Sequence, residues 1–108
     1  MEIKQYSLIV VNLDPTIGTE IKKKRPCVVI SPDEMNRHLQ TIVIAPVTSA
    51  SRAYPTRMPI KHNKTKGWVV LDQIRSIDRR RVTKNIGELN IKEILQLKAI
   101  MQETYVDW

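Results

Sequence analysis

Along roughly the first eighty residues, short apolar runs rich in Val and Ile alternate with turn residues, which is a β rhythm. The pattern predicts strands over 6–13, 26–31, 41–47, 57–60, 67–71 and 73–77, with a weaker one over 82–86. Leu8-Ile9-Val10-Val11 and Cys27-Val28-Val29-Ile30 are continuous apolar runs, as expected of strands in the wall of a closed core. Asp14-Pro15-Thr16-Ile17-Gly18 begins a long loop that runs to Lys24. Ser31-Pro32-Asp33-Glu34 reads as the start of one helical turn, with Ser31 or Asp33 as its cap. Asn90 with Glu93 three residues later is a variant capping box, opening a helix over 91–104. Ile91, Ile94, Leu97, Met101 and Tyr105 form one apolar stripe on it, with Leu95 and Ile100 off the stripe. That surplus apolar surface is read as contact with a second subunit, against the alternative of scattered exposed apolar residues. The expected architecture is mainly β with a C-terminal helix: a small, strongly bent barrel or half-barrel of about seven strands.

Length adds that residues 1–108 make one domain with a moderate core. Cys27, the one cysteine, sits in an apolar setting and reads as a buried filler rather than a nucleophile. No signal-peptide pattern or membrane-length apolar stretch is present, so the expectation is a cytoplasmic protein. Charge changes the picture more. Residues 85–108 hold two lysines against four acidic residues, a net of −2, so residues 1–84 carry +9 of the overall +7. A polyanion is the natural partner for such a surface; a solvated basic face is the bland alternative. Arg79-Arg80-Arg81 reads as solvated or generally phosphate-attracting surface.

Candidate chemistry is sparse. His38 and His62 stand far apart and read as surface residues; Glu34 and His38 could share a helix face, but no third metal ligand accompanies them. Nothing resembles a serine-hydrolase turn or a phosphate-cradling glycine loop. With no Phe and only five other aromatics, a stacking platform for bases is not expected. Arg25 ends the basic run Lys22-Lys23-Lys24 and precedes Pro26, which biases it to extended backbone at a barrel rim, its planar fork open to a phosphate. Thr48 ends an apolar strand and by composition alone reads as a turn residue in Thr48-Ser49-Ala50-Ser51.

Leu13-Asp14-Pro15-Thr16-Ile17-Gly18-Thr19-Glu20 followed by Arg25-Pro26-Cys27-Val28-Val29-Ile30-Ser31 resembles the opening signature of the MazF/PemK-type toxins. Asn36-Arg37, Pro46-Val47-Thr48-Ser49 and Leu71-Asp72-Gln73-Ile74-Arg75-Ser76-Ile77-Asp78 continue the resemblance in order over nearly the whole chain. It implies an SH3-like barrel, a homodimer, and a sequence-specific endoribonuclease of a type II toxin–antitoxin system. Such a toxin cleaves single-stranded mRNA without ribosome, metal or other cofactor. The RNA's own 2′-hydroxyl attacks the phosphate, leaving a 2′,3′-cyclic phosphate and a 5′-hydroxyl, so the protein need only orient, move protons and stabilise charge.

Carried over by motif, Arg25 stabilises the pentacoordinate phosphate, because a guanidinium is too weak an acid to be a ready proton donor. Thr48 holds a phosphate oxygen or positions the attacking hydroxyl. Glu20, Lys22, Lys23, Lys24, Asp72 and Gln73 are expected to bind RNA, Gln73 offering donor and acceptor to a base edge. The expected protein partner is an antitoxin with an acidic, disordered C-terminal segment. Two departures stand out. The Arg-x-Asp pair of Kid-like toxins is Val70-Leu71-Asp72 here, and the loop has Thr19-Glu20 with no histidine, so that acid–base scheme is in doubt. The alternatives of another class are a CcdB-like gyrase poison, resting on Trp108 near the end of the helix, and an RNA-binding module without activity.

Overall fold

A computed structural model describes residues 1–107. The elements in chain order are β1 (Ser7–Asn12), β2 (Lys24–Val29), α1 (Asp33–His38), β3 (Thr41–Thr48), β4 (Arg57–His62) and β5 (Thr65–Val70), then β6 (Arg75–Asp78), β7 (Val82–Glu88) and α2 (Ile91–Tyr105). Single 3-10 turns at Leu71–Gln73 and Arg79–Arg81 flank β6. The strands form one antiparallel, curled sheet in the order β4-β5-β3-β2-β1-β7, with β6 on β3. The seven-strand half-barrel and C-terminal helix are as the hydrophobic pattern predicts.

β3 organises the sheet. Its first half pairs with β6 and its last two residues pair with β5. The 3-10 turn at Leu71–Gln73 lets one chain segment change direction between those two pairings. Gln73, expected to begin a strand, belongs to this turn.

Continuous apolar runs arise because both faces of the central strands are buried. Leu8, Val28, Ala45, Val47, Met58 and Val69 pack on one side with Leu97 of α2. Ile9, Val11, Cys27, Val29, Ile42 and Ile44 pack on the other with Leu13 and Ile77. Burial pushes the Cys27 thiol up to about 12, so it is protonated filler, as its apolar setting predicts.

α2 starts at the predicted capping box: the Asn90 side chain accepts from the Glu93 N–H at 2.8 Å, and Glu93 Oε1 accepts from the Asn90 N–H at 3.0 Å. Its inward residues are Ile94, Leu97, Ile100 and Met101. Ile94, Leu97 and Met101 of the predicted stripe thus face the core and Leu95 lies off it as expected, whereas Ile91 is 70% exposed and Ile100 joins the core rather than lying off it. α1 departs too. Its N-cap is Pro32, with no side-chain cap bond. Ser31 is instead a buried junction, its Oγ donating to Asn36 Oδ1 at 2.6 Å and accepting from the Val43 N–H at 3.0 Å. Asp33 Oδ1 accepts from the Gln5 N–H. Among the described residues, no helix is long and apolar enough to cross a membrane.

Candidate functional site

Strand register places Arg25 and Thr48 at one end of the β2–β3 ladder. Cys27 of β2 stands opposite Pro46 of β3, the last pair of that ladder, and Arg25 and Thr48 each lie two residues beyond it. Side chains alternate across a strand. Arg25 and Thr48 therefore project on the face that Cys27 and Ile44 fill, but beyond its buried part, and both are half-buried. Pro26 holds Arg25 in extended backbone, paired with Val11 of β1. Arg25 Nε donates to the Lys22 carbonyl at 3.1 Å, and its terminal nitrogens have no protein partner among the described residues. Thr48 Oγ1 accepts from the Ala50 N–H at 3.2 Å, so it is the turn residue composition suggests. That bond uses the oxygen as acceptor and leaves the hydroxyl proton to donate elsewhere. A cleft of about 200 Å³ beside Arg25 is lined also by Pro26, Val47, Ser49, Lys64, Thr65 and Lys66.

A second cleft of about 240 Å³ gathers Glu20, Pro46, Asp72, Gln73, Ile74 and Arg75. Gln73 Oε1 accepts from the Ile21 N–H at 3.0 Å, which ties the 13–23 loop to the turn after β5 and leaves the Gln73 amide N–H groups as donors. Glu20 folds its loop on itself, accepting from the Ile17 N–H at 2.7 Å. Asp72 is spoken for: Thr56 Oγ1 donates to it at 2.8 Å, and Arg57 grips both oxygens, each at 3.1 Å. Partial burial works to raise the Asp72 carboxyl, but the hydrogen bonds from Arg57 and Thr56 outweigh it and hold the group below the ordinary carboxylate range. Lys22, Lys23 and Lys24 are exposed at the loop's end, where none forms an ion pair among the described residues.

The arginine run is not a solvated patch throughout. Arg79 Nη1 donates to the carbonyls of Asn36 at 2.7 Å and Leu39 at 3.0 Å, closing the C-terminus of α1. Arg81 Nη1 donates to the Asn12 and Asp14 carbonyls, and Arg80 pairs with Asp78. The hydrogen bond from Arg80 brings the Asp78 carboxyl down to about 2. His62 is also no free surface group, since its Nε2 lies 2.7 Å from Glu93 Oε1 and the side chain is 19% exposed. His38 stays exposed beside Glu34 at 3.4 Å, one helical turn away as its spacing predicts. No group of three His, Cys, Asp or Glu side chains is placed to hold a metal ion among the described residues. Trp108 lies outside the described residues.

Sequence reasoning missed Ser49, Lys64, Lys66 and Arg75 as cleft-lining residues. Spacing along one strand carries no sign of what a neighbouring strand sets opposite it. Arg75 alone was within reach, by alternation with the apolar Ile77 on the same strand.

A family described as PemK-like, MazF-like toxin of type II toxin–antitoxin systems matches residues 4–105. The endoribonuclease toxin MazF of Escherichia coli K12 is 33% identical over 93 residues, covering 85% of this chain and 84% of that protein. Endoribonuclease EndoA of Bacillus subtilis is 30% identical over 113 residues, covering 94% and 97%. The crystal structure of MazF (Form-I) from Deinococcus radiodurans superposes with a TM-score of 0.85 at 25% identity, over 95% of this chain and 96% of that one.

Proposed function

This chain belongs to the PemK-like, MazF-like family of type II toxin–antitoxin toxins, and from that premise we propose that it is an endoribonuclease cutting single-stranded mRNA at Arg25 and Thr48. The observation that carries the site is that Arg25 and Thr48 each lie two residues beyond the last β2–β3 pair, a guanidinium with unpartnered terminal nitrogens and a hydroxyl with a proton to give, with a lysine-lined cleft beside Arg25. In this reading the RNA's 2′-oxygen attacks the adjacent phosphorus, the P–O5′ bond breaks, and a 2′,3′-cyclic phosphate and a 5′-hydroxyl result. Arg25 offers its fork to the phosphate oxygens, on which charge grows in the transition state. Thr48 donates to a phosphate oxygen and fixes the attacking group's line. Glu20, Asp72 and Gln73 line the neighbouring cleft; Gln73 reads a base edge with its amide, while Asp72 acts through Arg57 as much as on RNA. Lys22, Lys23 and Lys24 hold the strand by charge. The family match leaves the gyrase-poison alternative without support.

The test is incubation of the purified protein with long mixed-sequence RNA in EDTA. Discrete fragments with cyclic-phosphate ends are expected, and mapping the ends gives the recognised sequence. Arg25→Ala is expected to fold normally and to cut about 10²–10³-fold more slowly. Intact RNA with the wild-type protein would overturn the reading, and a wild-type rate for Arg25→Ala would overturn the site.

The toxin's partners follow from the same premise. An antitoxin's acidic, disordered segment is proposed to cover the RNA cleft by imitating the phosphate chain; undiminished RNA affinity of the toxin–antitoxin complex would refute it. The protein is proposed to act in the cytoplasm as a homodimer. Exposed Ile91, Leu95 and Val106 on and beside α2 supply apolar surface for a second subunit. A monomer by sedimentation at micromolar concentration would refute that.

A further inference from the structure

Residues directly opposite one another in an antiparallel sheet project from the same face. Thr48 of β3 is opposite Trp68 of β5, and Trp68 is opposite Pro59 of β4 on its other edge. Thr48, Trp68 and Pro59 thus form one row across three strands, and Arg25 lies on the next strand, two residues beyond the last β2–β3 pair. Lys61 and Lys66 are opposite each other two residues further along β4 and β5, and so share the face. On the reverse face Val47, Val69 and Met58 fill the core. Pro59, Lys61 and Lys66 are exposed and Trp68 is half-buried, one strand in from the edge strand β4.

A groove of about 510 Å³ lies over these residues, lined by Ser49, Pro59, Lys61, Lys66, Trp68 and Glu93 among others. Ser49 and Lys66 line both this groove and the cleft beside Arg25, so the two adjoin. Glu93 is the acid in its lining, its Oε1 held by His62 and by the Asn90 N–H, so the lining sets two lysines against one carboxylate.

We propose that this groove is an accessory nucleotide subsite, in which a base of the single strand flanking the scissile phosphate stacks on Trp68 and Pro59 while its phosphate lies on Lys61 and Lys66. The inference rests on the ribonuclease reading for the identity of the strand. An indole plane stacks any base. The subsite therefore adds affinity and length dependence, leaving sequence choice to the cleft with Gln73.

The test uses the full chain carrying Trp108→Phe, which makes Trp68 the one remaining tryptophan. The probes are 2′-O-methyl oligoribonucleotides of mixed sequence, which no 2′-oxygen attack can cut. The decisive pair is short (about four) and long (about ten) nucleotides. The long one is expected to quench Trp68 emission and to bind about five- to thirty-fold more tightly than the short one. Trp68→Val should erase that advantage. Lys61→Ala with Lys66→Ala, which leaves the apolar packing alone, should lower the slope of log affinity against log salt by about 0.7 for each phosphate that no longer meets a lysine. Equal affinities for the two lengths, or unchanged emission with the long one, would overturn the proposal. So would emission that shifts with protein concentration and ignores RNA, which would give the groove to a second copy of the chain. If ordinary RNA stays uncut while the long probe still quenches Trp68, the subsite stands and the ribonuclease reading falls.

Discussion

Gly67→Ala is the sharpest probe of how the sheet sets up the site. Gly67 precedes Trp68 where β5 crosses the end of β3. A Cβ added there would lie 2.6 Å from the Thr48 carbonyl oxygen, 3.0 Å from its carbonyl carbon and 3.1 Å from Val47 Cγ1. An ordinary carbon–oxygen contact is about 3.3 Å, so the two strands must part by roughly 0.7 Å at Thr48. The obstructing atoms are mainly backbone, which cannot swing aside as a flexible side chain would. Overpacking of this kind costs about 1–3 kcal/mol. For a domain of this size that lowers the melting temperature by roughly 4–12 °C. The rate effect follows from the same displacement. A misplacement of about 1 Å at a reacting group can cost ~10²-fold, so a shift below that should cost about tenfold.

The assay is kcat/KM on a fluorogenic RNA, measured well below the variant's melting temperature, beside a thermal melt by circular dichroism. A tenfold deficit that persists in fully folded protein is expected. Loss of stability with a wild-type rate would show that the β3–β5 contact does not position Thr48. A wild-type melt as well would show that the strands do not approach so closely.

The remaining predictions separate structural from RNA-facing charge. Arg79→Ala removes two hydrogen bonds to the carbonyls that end α1 and should cost about 1–2 kcal/mol by denaturant unfolding. Arg80→Ala should leave both the melting temperature and RNA affinity unchanged, its partner Asp78 being local and solvent-screened. Asn90→Ala breaks the capping box and should cost about 1 kcal/mol, read as a melting temperature roughly 4 °C lower. The Asp72 carboxyl is held below its ordinary value, so its contribution is full at neutral pH and is lost as pH falls through the acidic range beneath that value. Asp72→Asn should therefore flatten the stability curve below about pH 4, and an unchanged slope there would refute the Arg57–Asp72 clamp.

Periodicity made the elements legible because burial writes itself along the chain. The runs at Leu8–Val11 and Cys27–Ile30 carry two cores' worth of apolar residues, and Asn90 with Glu93 announces the helix. What periodicity could not give was anything set by pairing between strands. Thr48 looked like a turn residue, and it is one; the role proposed for it depends on where the ends of β2 and β5 lie beside it, which its own strand does not announce. Trp68 looked like one more strand residue, and the role proposed for it comes from being opposite Thr48. Ser31 had a cap's identity and position, but a buried Asn36 five residues on offered it a better partner than the helix N-terminus did.

The same distinction governs charge. A surplus of +9 over residues 1–84 treats every cation as available to a polyanion. The fold withdraws part of it: Arg57 is held by Asp72, Arg79 and Arg81 by backbone carbonyls, and Arg80 by Asp78. The groups left facing the clefts are Arg25, Lys61, Lys64, Lys66 and Arg75, with Lys22, Lys23 and Lys24 at the loop's end. Eight such cations set an upper bound near −6 for the slope of log affinity against log salt on single-stranded RNA, at about 0.7 per phosphate. If the arginine run also faced the strand, its three cations would steepen the slope to about −8. A salt titration of the uncleavable long probe decides between the two, since an ion-pair inventory read from the fold and one read from composition differ by about two units.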